Sequence, residues 1–216
     1  MDFALIAKVW TFFAAAAWVT LQISALAICL GLCLGFAAAL ASISRNVLLR
    51  FPARVYVSIF RGTPALIQLF LLYYGGPQIG LQLGPFEAGV IGLGINIGAY
   101  MTESIRGAIL AVEKGQMEAA RCLGLGHVQS MRNVILPQAL RLMVRPLGVN
   151  AVALIKGSAI VSTISVVELT YTAHRYISST YKPFEMFILA SLFYLVIVSV
   201  VSFAVNRIDE RVALES

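Results

Sequence analysis

Residues 19–43 read VTLQISALAICLGLCLGFAAALASI, and no charged side chain interrupts them. An α-helix rises about 1.5 Å per residue, so this run extends roughly 37 Å. The hydrocarbon core of a bilayer is about 30 Å thick, so the run reads as a membrane span. Gly31 and Gly35 stand four residues apart inside it, a spacing that lets a second helix backbone come close. Residues 1–18 are apolar and aromatic apart from Asp2 and Lys8. Two readings stand for them: an interfacial helix leading into the span, or a longer first helix.

The rest of the chain has the same character. Of 216 residues, 60% are hydrophobic and 12% are charged, against about 25% charged in a soluble domain. Mean hydropathy is +0.88. These values exclude a soluble enzyme domain, a disordered chain and a disulfide scaffold. The apolar runs are continuous rather than alternating, which excludes an outer-membrane barrel. Four further spans are expected, near 55–74, 86–106, 144–167 and 184–205. Pro64 should break the second of these. In the third, Gly94 and Gly98 are read as a helix-packing pair, because no strand precedes them and their spacing does not fit a nucleotide fingerprint. Glu168, His174, Arg175, Lys182 and Glu185 fall in a mixed loop before the last span. No leader peptide is evident, since Met1-Asp2 opens the chain without a basic region. Cys29 and Cys33 sit within the first span and read as buried, inert thiols. The expectation is one all-α membrane domain over residues 1–216.

The net charge of +6 is read as topology rather than as a nucleic-acid surface, because Lys and Arg concentrate in cytoplasmic loops. Arg45, Arg50 and Arg54 form one basic loop. Arg106, Lys114, Arg121, Arg132, Arg141 and Arg145 mark another segment, and Arg207 and Arg211 lie in the tail. These eleven of the sixteen Lys and Arg fall on one side, which puts 106–145 and the C-terminus in the cytoplasm. Five spans then place the N-terminus outside.

Residues 107–142 are the one long hydrophilic stretch. Glu118 to Leu123 favours helix, Gly124 and Gly126 can stop it, and a second short helix should run from His127 to Ile135. Pro137 disfavours helix at Leu136. Two short helices joined by a glycine turn make a compact protrusion. Ala119 and Ala120 would admit a partner backbone, with Leu123, Val128, Met131 and Ile135 as a docking face. The alternative is a loop that covers its own helix ends.

Glu118-Ala119-Ala120-xxx-Gly124, followed by Leu136-Pro137, resembles the EAA motif of ABC importer permeases. Phe60-Arg61-Gly62-Thr63-Pro64, Gly98-Ala99-Tyr100-xx-Glu103, Arg106-Gly107-Ala108, Lys114-Gly115-Gln116 and Val134-Ile135-Leu136-Pro137-Gln138-Ala139 resemble the polar amino acid permeases of the histidine/glutamine/arginine type. The likeness covers roughly residues 15–208. It implies the permease subunit of an ATP-driven importer in the bacterial inner membrane. The chain would form half of a translocation pathway with a second permease, identical or homologous. Glu118, Ala119, Ala120, Gly124, Leu136 and Pro137 would form the coupling segment that docks on one of two ATPase subunits. An extracytoplasmic binding protein would deliver the solute. The resemblance implies no cofactor on this chain and places ATP and magnesium on the ATPase. In agreement, the sequence has no G-x-x-x-x-G-K-[ST] phosphate loop.

Ionisable groups at membrane depth are candidate site residues. Lys156 lies eleven residues past Arg145, roughly 16 Å deep. It would attract a substrate carboxylate or sit in a structural ion pair, with Ser158 adding a hydroxyl and Gly157 opening the backbone. Asn96, Tyr100 and Glu103 share one helix face. Glu103 and Lys156 could meet the two charges of a zwitterion; alternatively Glu103 pairs with Arg106. Arg61 would gate the path or fix the kinked helix. Glu168, at the outer end of the fourth span, reads as solvated, with contact to the binding protein as the alternative, and His174 reads as an exposed loop residue. The family often has an acid after the lysine, where this chain has Gly157; either the substrate is not basic or a different partner permease supplies the acid. The rival reading is an ion- or proton-driven transporter acting alone, which needs a carboxylate or His relay in the spans. An intramembrane enzyme lacks any nucleophile elbow or metal cluster.

Overall fold

The computed structural model describes residues 3–214, and every regular element among them is helical. The first span and the segment before it form one helix, α1 (Phe3–Ile43), about 60 Å long. Asp2 lies outside the described residues. The length of α1 serves two packing clusters. Val9, Phe13, Ala16 and Ala17 pack with Leu169, Met186 and Leu189, whereas Ile23, Ala27 and Ala39 pack with Leu93, Ile97 and Met101. Cys29 and Cys33 face outward, contrary to the expectation of burial. The inward stripe of α1 is taken by its glycines and alanines, which admit closer neighbours.

Helix α2 (Val47–Gly62) starts earlier than expected, because the Asn46 side chain caps it by accepting from the Leu48 N–H at 2.9 Å. Arg50 and Arg54 are therefore helical, not loop residues. Thr63 and Pro64 then turn extended, the conformation that proline imposes on its predecessor. The chain bends by 106° into a second helical stretch that reaches Ile79. That stretch begins as α3 (Ala65–Phe70).

Helix α4 (Pro85–Ala111) lies at the centre, with Ala88, Leu93, Ile97, Met101 and Ile105 buried. The two glycine pairs pack on each other. A Cβ on Gly35 would stand 2.9 Å from Met101 Cβ and 3.1 Å from the Gly98 carbonyl oxygen. One on Gly98 would stand 2.7 Å from the Tyr56 hydroxyl and 3.2 Å from the Gly31 carbonyl oxygen. Backbone lies behind both contacts, so neither can yield. Gly98→Val is expected to cost about 1–3 kcal/mol through overpacking. The check is the thermal midpoint of the tagged protein in detergent together with its yield from membranes; an unchanged midpoint would refute the packing role.

Helix α5 (Lys114–Cys122) ends where expected. Gly124 takes φ +81, the Gly124 N–H donates to the Arg121 carbonyl and the Leu125 N–H to the Ala120 carbonyl. This left-handed cap needs glycine. Gly126 does not stop a helix; it is the N-cap of α6 (His127–Ser130), with its N–H bonded to Gln129. The expected break at Leu136 does not occur. A wide turn over Met131–Ile135 lets the Leu136 N–H reach back to the Met131 carbonyl. Pro137, which has no N–H to give, falls in the first turn of α7 (Leu136–Gly157). Beyond Gly157 the chain tightens into a 3-10 segment, Ser158–Ile164.

The expected mixed loop is largely α8 (Leu169–Thr180), followed by α9 (Pro183–Leu214). Glu168 is fully buried rather than solvated. It caps α8 by accepting the Tyr171 N–H and also accepts the Tyr194 hydroxyl, both at 2.8 Å. Both hydrogen bonds hold the carboxylate inside. His174 is exposed on α8 with its ring edge-on to Phe187.

Three helical stretches among the described residues are long and apolar enough to cross a membrane: Ala4–Ile43, His127–Ile164 and Pro183–Val212. The bent pair makes four. Helix α4 is not among them. Its glycines, Asn96, Thr102 and Glu103 lower its apolar character, and a helix wrapped by protein can carry them where a lipid-facing one cannot.

Candidate functional site

A polar cluster forms where α2 breaks. The open carbonyls of Phe60 and Thr63 accept from Gln68 Nε2, each at 3.1 Å. The Asn96 amide donates to the Phe60 carbonyl at 3.1 Å and to Gln68 Oε1 at 3.0 Å. Asn96 therefore secures the break from the neighbouring helix. Gln68 and Thr63 were not singled out from the sequence; the Pro64 break, which frees carbonyls and so demands donors, was the signal that could have found them.

About two turns further along α4 is an ion cluster. Glu103 accepts Arg106 Nη2 at 2.7 Å and Nε at 3.1 Å. Arg61 Nη1 stands 4.0 Å from the same carboxylate, and its guanidinium lies 5.3 Å from the Tyr100 ring centre. The bidentate Arg106 fork is the stronger contact. Arg61, Glu103 and Arg106 border a cavity of about 630 Å³ that also receives Arg50 and Arg54. It holds four guanidinium groups against the one carboxylate of Glu103, so it attracts anions. The structure thus brings Asn96, Tyr100, Glu103 and Arg61 into one region.

Lys156 is elsewhere. It is exposed on α7 and lines a groove with Arg145, Gly148, Ser202 and Asn206. No hydrogen bond or ion pair reaches it among the described residues. Within this chain it does not share a cavity with Glu103. Arg145 Nη2 pairs with Asp209 of α9 at 2.7 Å, and Lys156 stands three turns above that pair, about 16 Å. Ser158 is buried, with its hydroxyl spent on the Ile155 carbonyl at 2.8 Å. A Cβ at Gly157 would meet nothing within 4 Å, so no close contact within this chain demands glycine there.

On α5, Glu118 and Ala119 are exposed while Ala120 turns inward and is 3% exposed. Only Ala119 is open to close approach by a partner; Ala120 instead seats α5 on its own protein. Leu123 and Val128 are exposed, Met131 is half-buried and Ile135 belongs to the core. The apolar docking face is therefore smaller than expected. Pro137 is exposed and Leu136 half-buried.

Comparison with known proteins agrees with this architecture. Residues 31–214 match the family model described as binding-protein-dependent transport system inner membrane component. The chain is 40% identical over 194 residues to the probable amino-acid ABC transporter permease protein YckA of Bacillus subtilis (strain 168), covering 90% of this chain and 86% of that one. It is 38% identical over 192 residues to the probable glutamine ABC transporter permease protein GlnM of the same organism, covering 89% of each. Among solved structures, an amino acid ABC transporter crystallised with histidines superposes with a TM-score of 0.92 at 38% identity, covering 98% of this chain and 99% of that one. The chain belongs to the family of inner-membrane components of binding-protein-dependent transport systems.

Proposed function

We propose that this chain is one half of the translocation pathway of an ATP-driven importer for polar amino acids or related zwitterions. It is a single domain with five spans, its N-terminus outside. It pairs with a second permease, receives solute from an extracytoplasmic binding protein, and meets a separate ATPase through residues 107–142. The observation that carries this reading is the ion cluster of Arg61, Glu103 and Arg106 beside a broken helix. Charged groups within a span or at its edge are retained where they line a path or pair with one another, and here they border a cavity near the cytoplasmic end of α4. Glu103, already held by two hydrogen bonds from Arg106, suits a fixed ion pair better than a proton carrier. That favours the ATP-driven reading over an ion-driven transporter.

Glu118 and Ala119 on the exposed face of α5, with Gly124 closing the helix, form the contact to the ATPase. Leu136 and Pro137 anchor that contact to α7. Lys156 adds a further path residue. An ammonium without a partner is costly against lipid, so its face of α7 turns to the second permease or to water. Lys156→Ala is expected to lower uptake about tenfold while the complex still assembles; loss of assembly would make the lysine structural.

The test of the whole reading is mild-detergent purification of the tagged chain from its native membrane, with mass spectrometry of what accompanies it. ATP-driven amino acid uptake after reconstitution follows. A co-purifying ATPase and a second permease are expected. An intact chain that comes out alone under several detergents would overturn it.

A further inference from the structure

A second groove, of about 810 Å³, lies between the end of α1, the end of α4, the start of α5 and the turn after α6. Its floor is apolar, formed by Leu40, Ile43, Ile109, Met117, Met131 and Ile135. Its rim is basic, with Arg45, Lys114 and Arg132 beside His127, and Glu113 is its sole carboxylate. No hydrogen bond or ion pair occupies those three cationic side chains among the described residues.

We infer that this groove binds an anionic phospholipid, with the phosphate on Arg45, Lys114 and Arg132 and an acyl chain along the floor. Three observations converge on that occupant. The groove sits where apolar helices give way to the basic hydrophilic segment, the level of the cytoplasmic headgroups. A soluble anion would leave the apolar floor uncovered, and an apolar peptide would leave the cations unmatched. Basic pockets at the cytoplasmic ends of membrane helices suit anionic headgroups. Lys114 and Met117 belong to α5, so a bound lipid would fix the first turn of that helix against the end of α1. The inference goes beyond transport and needs only the membrane placement.

The test uses the intact complex, purified with its ATPase and reconstituted in nanodiscs of phosphatidylcholine with a graded fraction of phosphatidylglycerol. Lipid retained per complex is counted by native mass spectrometry. Each basic residue contributes about a fivefold preference near an anionic surface, so the Arg45→Gln, Lys114→Gln, Arg132→Gln triple variant should bind phosphatidylglycerol roughly 100-fold more weakly. Arg132→Glu alone, at an exposed unpaired position, should give a loss of about tenfold or more with the fold intact. An Arg207→Gln, Arg211→Gln variant, which removes charge from the tail, should retain lipid like the parent. Equal retention by the triple variant and the parent would overturn the inference. So would equal retention of phosphatidylcholine, displacement by inorganic phosphate alone, or loss of the ATPase in place of lipid, which would assign the groove to a protein partner.

Discussion

Replacing Glu103 with glutamine is expected to cut ATP-driven uptake at least about tenfold while the ATPase stays attached. The carboxylate is the only acid in a cavity with Arg50, Arg54, Arg61 and Arg106. Glutamine keeps the shape and loses the charge. Arg106 then loses its bidentate partner and Arg61 its nearest anion, and breaking a partly buried charge pair by removing one side costs more than the pair contributes. The double variant Glu103→Gln, Arg106→Gln separates two explanations. If Glu103 serves to neutralise Arg106, the double variant regains much of the uptake. If the carboxylate meets the solute, the double variant stays as low as the single one. Normal uptake by Glu103→Gln would remove this cluster from the pathway. Binding of the ATPase, followed by co-purification, is the control for folding.

The second large effect is expected at Gly124. Its φ of +81 lies where a β-branched residue is strained by about 1–2 kcal/mol. Gly124→Val should unwind the end of α5, because the Gly124 N–H bond to Arg121 and the Leu125 N–H bond to Ala120 both depend on that turn. Open space surrounds the position, so the effect is conformational rather than a clash, and the membrane helices keep their packing. ATP hydrolysis stimulated by the loaded binding protein should fall about tenfold or more, with normal amounts of chain in the membrane. Gly124→Asn, which tolerates the left-handed region, should recover a good part of it. Full stimulation in Gly124→Val would sink the coupling role of this turn.

Local signals in the sequence carried much of this. Pro64 announced the break in the second span, since its ring disfavours helix in the residue before it. Gly31, Gly35, Gly94 and Gly98 announced close helix packing, since residues without a bulky side chain let two backbones meet. The hydrophilic segment announced α5 and its glycine stop. Other signals misled. Pro137 looked like a helix end, but a single wide turn absorbed it. Glu168 looked solvated, yet two hydrogen bonds draw it inside. Cys29 and Cys33 looked buried because apolar runs suggest burial, whereas in a membrane protein an apolar side chain faces lipid as readily as core.

What the sequence by itself determined is therefore the class of the molecule, its membrane setting, and the local points where helices start, stop and bend. These depend on residues adjacent along the chain. Only the tertiary structure decided that the two glycine pairs meet each other, that Asn96 secures the Phe60 carbonyl, that Arg61 and Arg106 share Glu103, and that Lys156 lies in a different groove. Periodicity places a residue on one face of its own helix. Which neighbour that face meets depends on how helices far apart in the chain pack, and no local pattern encodes that.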